Sequence, residues 1–145
     1  FIVGFKKNVT FQFPTPPETS TRLGNILQKK VSSKYTISDK LWAGAQARKQ
    51  KHLDKGYGFG YSLFDRDAEY TSTISARYYK DGSEILIKQK NNNPRKLTPL
   101  EASRLQGFPD DFIIPVSDSQ AYRQFGNAVP VSVIRAVAKQ MIKHF

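Results

Sequence analysis

Near the end of the chain, the run Gly126-Asn127-Ala128-Val129-Pro130 joins two helix-like segments and combines residue types that can bind a small anion. Proline suits the first position of a helix, so Pro130 puts Val129 at the cap. Valine offers no side-chain acceptor to the open N–H groups of that first turn. Asn127, just upstream, carries a short amide that both donates and accepts. An uncapped helix start beside such a turn suits a ligand carboxylate or phosphate. The same Gly-Asn pair also makes ordinary tight turns, and the residues alone leave both readings open.

Other chemistries are closed to the chain. It has no cysteine, which excludes a disulfide framework, a thiolate metal site and a cysteine nucleophile within these residues. With only His52 and His144 as histidines, no metal is expected. No apolar run reaches the roughly 18 residues of a membrane span, and no membrane partner is expected. The net charge is +11 and unevenly spread: residues 1–55 hold 11 Lys/Arg against 3 Asp/Glu. A basic first third points to a polyanion, nucleic acid above all, although surface charge also serves solubility.

The elements that must position these residues follow from local pattern. "FIVGFKK" reads as a short buried strand, ended by the Pro-rich "FQFPTPPETS", and "STRLGNILQKK" as a short helix. "SDKLWAGAQARKQKHLDKG" reads as a longer helix capped by Ser38 and stopped at Gly56. Its basic edge is Lys40, Arg48, Lys51 and Lys55, beside an apolar face of Leu41, Trp42, Ala45 and Leu53 that Lys49 interrupts. "GYGFGYSLFD", "EYTSTISARYY" and "SEILIKQ" read as strands and loops. Thr98, Pro99 and Glu101 form a capping box for a helix ending at Gly107. Ser117 and Gln120 repeat the device for a helix ending at Gly126. A last helix begins at Pro130, with Ile134, Val137, Ala138 and Met141 on its apolar side.

"RKLTPLEASRLQGFPDDF" and "SQAYRQFGNAVPVSVI" together resemble the ninth and tenth sequence blocks of the DNA (cytosine-5) methyltransferases. The likeness rests on Arg95, Leu97, Thr98, Pro99, Glu101, Arg104, Leu105, Gly107, Phe108 and Pro109, then on Gln120, Tyr122, Gln124, Gly126, Asn127 and Val129. "FIVGFKKN" with "FQFPTP" resembles the end of the eighth block. One departure is Leu100, where the family has Arg before the Glu.

The resemblance implies a fold class of α+β. A small irregular β-rich recognition region with helices would be flanked by a strand and a C-terminal helix from the edge of an α/β catalytic domain. The expected divisions are 1–17 for the catalytic strand and connector, 18–94 for target recognition, and 95–145 for the blocks returning to the catalytic domain. In the family a Cys thiolate attacks C6 of a flipped cytosine, and S-adenosylmethionine gives its methyl group to C5. The Cys segment precedes the eighth block, so this chain alone is expected to be inactive. The expected partners are double-stranded DNA and an N-terminal catalytic half, in the same polypeptide or a separate subunit; the missing initiator Met favours a cut chain. A bacterial, cytoplasmic setting is implied.

Carried over residue by residue, the resemblance assigns Asn127, with the backbone of Ala128, to S-adenosylmethionine. Thr73, followed by Ile74, would hold a phosphate beside the target cytosine. "DKGYGFGYS" falls where the family has a Gly-rich recognition loop. Its glycines admit close backbone approach, and Tyr57 and Phe59 offer faces to stack or wedge. Lys55 and Arg77 suit phosphate or guanine, since Arg can address both guanine major-groove acceptors. Arg95 and Arg104 are expected to be structural, paired with acids such as Glu101. "SARYYKDGSEILI" resembles the Dcm-like enzymes, which methylate the inner cytosine of CC(A/T)GG. The alternatives are a stand-alone DNA-binding remnant, a small subunit of a split enzyme, and an RNA substrate. The Val133, Ile134, Val137 and Met141 stripe is expected to present exposed apolar area.

Overall fold

The computed structural model describes residues 1–145 and is α+β. Helix α1 spans Asp39–Asp54, and three strands of two residues each follow: β1 Leu63–Phe64, β2 Leu86–Ile87 and β3 Arg95–Lys96. Then come α2 Pro99–Leu105, α3 Asp118–Asn127 and α4 Val131–Ile142. β2 lies between β1, to which it runs parallel, and β3, to which it runs antiparallel.

The capped helices form where their local signals put them. The Ser38 hydroxyl accepts from the Leu41 N–H at 3.3 Å, and Gly56 leaves the helix at φ 74°. At α2 both halves of the capping box are present, and Gly107 stops the helix at φ 77°. At α3 only the Ser117 half is made, by acceptance from the Gln120 N–H at 3.4 Å.

Elsewhere the structure departs from the pattern. Phe1–Lys7 is not a strand and lies largely exposed, because no segment of the chain offers it a ladder. "STRLGNILQKK" supplies only a 3-10 turn at Leu23–Asn25. "EYTSTISARYY" contains no strand. Its chain turns instead, with the Tyr78 N–H donating to the Ser75 carbonyl at 3.0 Å while the Tyr78 side chain is buried. Leu53, assigned to the apolar face of α1, is exposed, and only Ala45 of that helix is buried.

One core joins Leu23 and Leu27, then Ile74, Tyr78, Ile85 and Ile87, to Leu97, Ala102, Ala121, Tyr122 and Phe125. It runs without a break across residue 94, and α2 packs on α3. α4 stands to one side. Of its apolar stripe Val133 (39%) and Ile134 (42%) are exposed, as expected, but Val137 is buried and Met141 half-buried; Ile142 (68%), outside the stripe, is exposed too. Phe5 meets Phe11, His144 and Phe145, so the first residues pack against the last.

Candidate nucleic-acid and cofactor interface

The Gly-Asn junction is built from beneath. α3 runs through Gly126 to Asn127, one residue further than the glycine suggests. Gly126 is not at positive φ; it is required because a Cβ there would overlap the Ser75 carbonyl and the Ala76 nitrogen. α4 starts at Val131 with Pro130 as its cap, one position later than expected, and no side chain caps it. Instead the Val131 N–H donates to the Gln106 carbonyl at 2.9 Å. The Gln106 amide donates to the Phe125 carbonyl at 2.6 Å and reaches the Ala128 carbonyl at 3.5 Å. Gln106 therefore stitches the end of α3 to the start of α4. Its sequence signal was only its place before Gly107.

Of the two residues expected to meet the cofactor, Asn127 is exposed. The Ala128 N–H is turned inward to the Phe125 carbonyl at 3.2 Å. The junction thus keeps an outward amide, beside a helix start with no side-chain cap, and withholds the Ala128 donor. With the Val131 N–H given to Gln106 and the Val133 and Ile134 N–H groups to the Pro130 carbonyl, the exposed Asn127 amide is the donor left to meet the carboxylate of an amino-acid group.

Thr73 is exposed, next to the buried Ile74, on the segment that Gly126 touches. Ser75 donates to Glu84 at 2.5 Å and accepts from the Arg77 N–H at 3.2 Å, which fixes the segment and leaves Arg77 exposed. Tyr78 and Tyr122 tie this segment to Leu97, just past β3. The Tyr78 hydroxyl donates to the Ile85 carbonyl (2.6 Å) and accepts from the Leu97 N–H (2.8 Å), while the Tyr122 hydroxyl donates to the Leu97 carbonyl (2.5 Å). Burial drives both phenols well above the ordinary tyrosine value, so they remain neutral donors.

Lys55, Tyr57 and Phe59 form a second group at the end of α1, all exposed. Tyr57 and Phe59 flank His52, whose Nδ1 lies 3.3 Å from the Phe59 carbonyl. The far end of the loop is pinned by Lys49, which donates to the Tyr61 carbonyl at 3.2 Å and lies over the Tyr61 ring. Lys49 intrudes on the apolar face of α1 for this purpose. The aromatic faces stay open while the loop ends are held.

Arg95 and Arg104 are structural. Arg95 makes a bidentate pair with Glu101 at 2.7 and 2.9 Å, both buried, and Arg104 grips Asp110 rather than Glu101 at 2.7 and 2.9 Å. No cluster of three potential metal ligands exists, and no helix is long and apolar enough to cross a membrane.

A family model described as C-5 cytosine-specific DNA methylase matches residues 1–143. The chain is 62% identical over 148 residues to the Type II methyltransferase M1.ScrFI of Lactococcus lactis subsp. cremoris, covering 99% of this chain and 38% of that protein. It is 42% identical over 145 residues to the DNA-cytosine methyltransferase of Escherichia coli K12, covering 85% of this chain and 31% of that one. Among solved structures, the Entamoeba histolytica methyltransferase EhMeth shares the fold at a TM-score of 0.71 and 21% identity, over 98% of this chain and 45% of that chain. The chain spans about two-fifths of the length of Type II methyltransferases such as M1.ScrFI. With its ninth- and tenth-block residues joined in one core and a family match over nearly its whole length, the chain belongs to the C-5 cytosine-specific DNA methylases.

Proposed function

We propose that this chain is the target-recognition and cofactor-pocket-completing part of an enzyme that methylates C5 of a flipped cytosine in duplex DNA. The observation that carries this reading is the backbone contact of Gly126 with Ser75 and Ala76. It sets the turn assigned to the cofactor, Asn127 with Ala128, against the segment assigned to the target, Thr73. In this reading the Asn127 amide holds the methionine carboxylate of S-adenosylmethionine, which supplies the methyl group, and Ala128 lines the turn. Thr73 holds a phosphate beside the extruded base. Lys55, Tyr57, Phe59 and Arg77 meet the duplex around it.

The reading divides the chain into 1–17 and the end of α4 as catalytic-domain edge, with the recognition body between. The packing of Phe5 against His144 and Phe145 supports joining the two ends. The core that crosses residue 94 supports counting α2 and α3 with the recognition body. Since the chain has no cysteine, the nucleophile must come from an N-terminal catalytic half.

The test is methyl transfer to duplex DNA by the chain alone and mixed with a catalytic half expressed separately from a close relative. Transfer only in the mixture is the expected result, and the methylated position then gives the target. DNA binding without transfer, in a mixture whose halves demonstrably associate, would favour a binding remnant.

A further inference from the structure

The sheet separates two basic regions. β1 and β2 run parallel, so the residues preceding them share one end: the Ser62 N–H donates to the Ser83 carbonyl there, below the Gly-rich loop. The residues that follow the two strands share the opposite end, where Arg66 and the Lys88–Asn92 run meet Leu27–Val31 around an open groove of about 550 Å³. Its cations are Lys29, Lys30, Arg66, Lys88, Lys90 and Arg95, and no acidic residue lines it.

The cations are not equivalent. Arg95 is neutralised by Glu101, Lys88 pairs with Asp65 at 3.3 Å, and Arg66 donates to the Gly24 carbonyl at 3.2 Å. Lys29, Lys30 and Lys90 are exposed and enter none of the chain's ion pairs. The floor beneath them is fixed. Gln28 accepts from the Thr98 hydroxyl at 2.6 Å and donates its N–H to Glu101 at 2.8 Å, and the Gln89 amide donates to the Asn93 carbonyl at 2.6 Å. Exposed lysines on a fixed floor, with no side chain holding their ammonium groups in ion pairs, give no rigid cage for a single small anion. They suit a chain of phosphates, each met by a point charge.

We propose that this groove holds the phosphodiester backbone of the DNA that flanks the target, as a second contact surface at the end of the sheet away from the Gly-rich loop. The proposal rests on the function inferred above. Contacts of this kind position the duplex without reading its sequence.

The test measures binding of the complete enzyme, catalytic half included, across a salt series. Its ligands are a DNA duplex bearing the methylation site, an unrelated DNA duplex and a duplex RNA. The triple variant K29Q/K30Q/K90Q should weaken both DNA duplexes by the same factor. It should also lower the slope of log affinity against log salt by about 1 for each phosphate no longer met by a lysine, up to about 3 in total. The variant K29R/K30R/K90R should restore the slope, and the charge-matched control R135Q/K139Q/K143Q, on α4 and the residue just past it, should leave it unchanged. An unaltered slope in the triple variant overturns the groove, as does an equal fall in the control, which would make net charge the cause. Weakening confined to the duplex RNA would overturn it too. If the unmodified enzyme binds no DNA, the functional reading itself fails; if it binds and the triple variant matches it, only the groove is lost.

Discussion

Gly126 sits against the backbone of Ser75 and Ala76 with no room for a side chain between them. A glycine inside a helix ordinarily costs about 1 kcal/mol relative to alanine, so Gly→Ala in α3 would normally stabilise. Here the sign reverses, because the atoms that must yield are backbone rather than the tip of a flexible side chain. Gly126→Ala should destabilise by about 1–3 kcal/mol, as overpacking does, measured as a lower urea midpoint. If the reading of the two segments holds, the same variant shifts both the S-adenosylmethionine requirement and DNA affinity of the complete enzyme.

The buried Arg95–Glu101 pair should be far more sensitive than the exposed Arg104–Asp110 pair, though their distances match. Glu101 also accepts from the Thr98 and Gln28 N–H groups, so its loss strands a buried guanidinium and two donors. Glu101→Ala should cost about 3–5 kcal/mol. Asp110→Ala should move the urea midpoint only slightly, because water replaces the carboxylate.

The Lys34–Asp118 contact at 2.8 Å, with the Tyr35 hydroxyl donating to the same carboxylate oxygen at 3.0 Å, bounds stability at both pH extremes. The Lys34 hydrogen bond holds the Asp118 carboxyl below its ordinary 3.8. Its contribution is therefore present above about pH 4 and lost as the pH falls through the folded value. The Asp118 hydrogen bond raises Lys34 above 10.5, so that contribution is present below about 10.5 and lost as the pH rises through the folded value. Asp118→Asn should make both limbs of a stability–pH curve slightly shallower, the acid limb remaining because Asp81 and Asp110 are also held below their ordinary value.

Thr73→Ala and Asn127→Ala should separate the two assigned roles, since both side chains are exposed. Thr73→Ala should weaken DNA binding or turnover with stability within about 0.5 kcal/mol of the parent. Asn127→Ala should raise the concentration of S-adenosylmethionine required and leave DNA affinity nearly unchanged. An Asn127→Ala chain that unfolds without a cofactor effect would return the junction to a plain turn.

What was legible in the sequence was local. Ser38, Thr98 with Glu101, and Ser117 act on N–H groups three residues away, so their helices could be placed from the chain alone. The first segment failed as a strand because a strand is defined by its neighbour, and composition does not say whether one is present. Thr73–Tyr79 failed for a related reason: its β-branched and aromatic residues serve a buried turn around Tyr78, whose hydroxyl partners lie at Ile85 and Leu97. The role of Gly126 was hidden because the atoms it must admit are some fifty residues away in the chain. Arg95 was legible as structural, since a family acid stood six residues on. The partner of Arg104 is Asp110 and not Glu101, because Glu101 is already committed to Arg95 and Thr98.

Strands only two residues long have a consequence for how the chain tolerates changes of length. The body is held by discrete ties, such as Leu23 N–H to the Ala68 carbonyl, Ser62 N–H to the Ser83 carbonyl, and Tyr78 hydroxyl to the Ile85 carbonyl. A long ladder would force any inserted or deleted residue to shift the register of everything after it. Here the Gly-rich segment hangs between the end of α1 and Ser62, so a change in its length alters only its own contacts, such as those of Tyr57 and Phe59 with His52 and of Tyr61 with Lys49, and shifts no ladder register. The architecture makes the Gly-rich segment a replaceable cassette on a frame that need not be rebuilt.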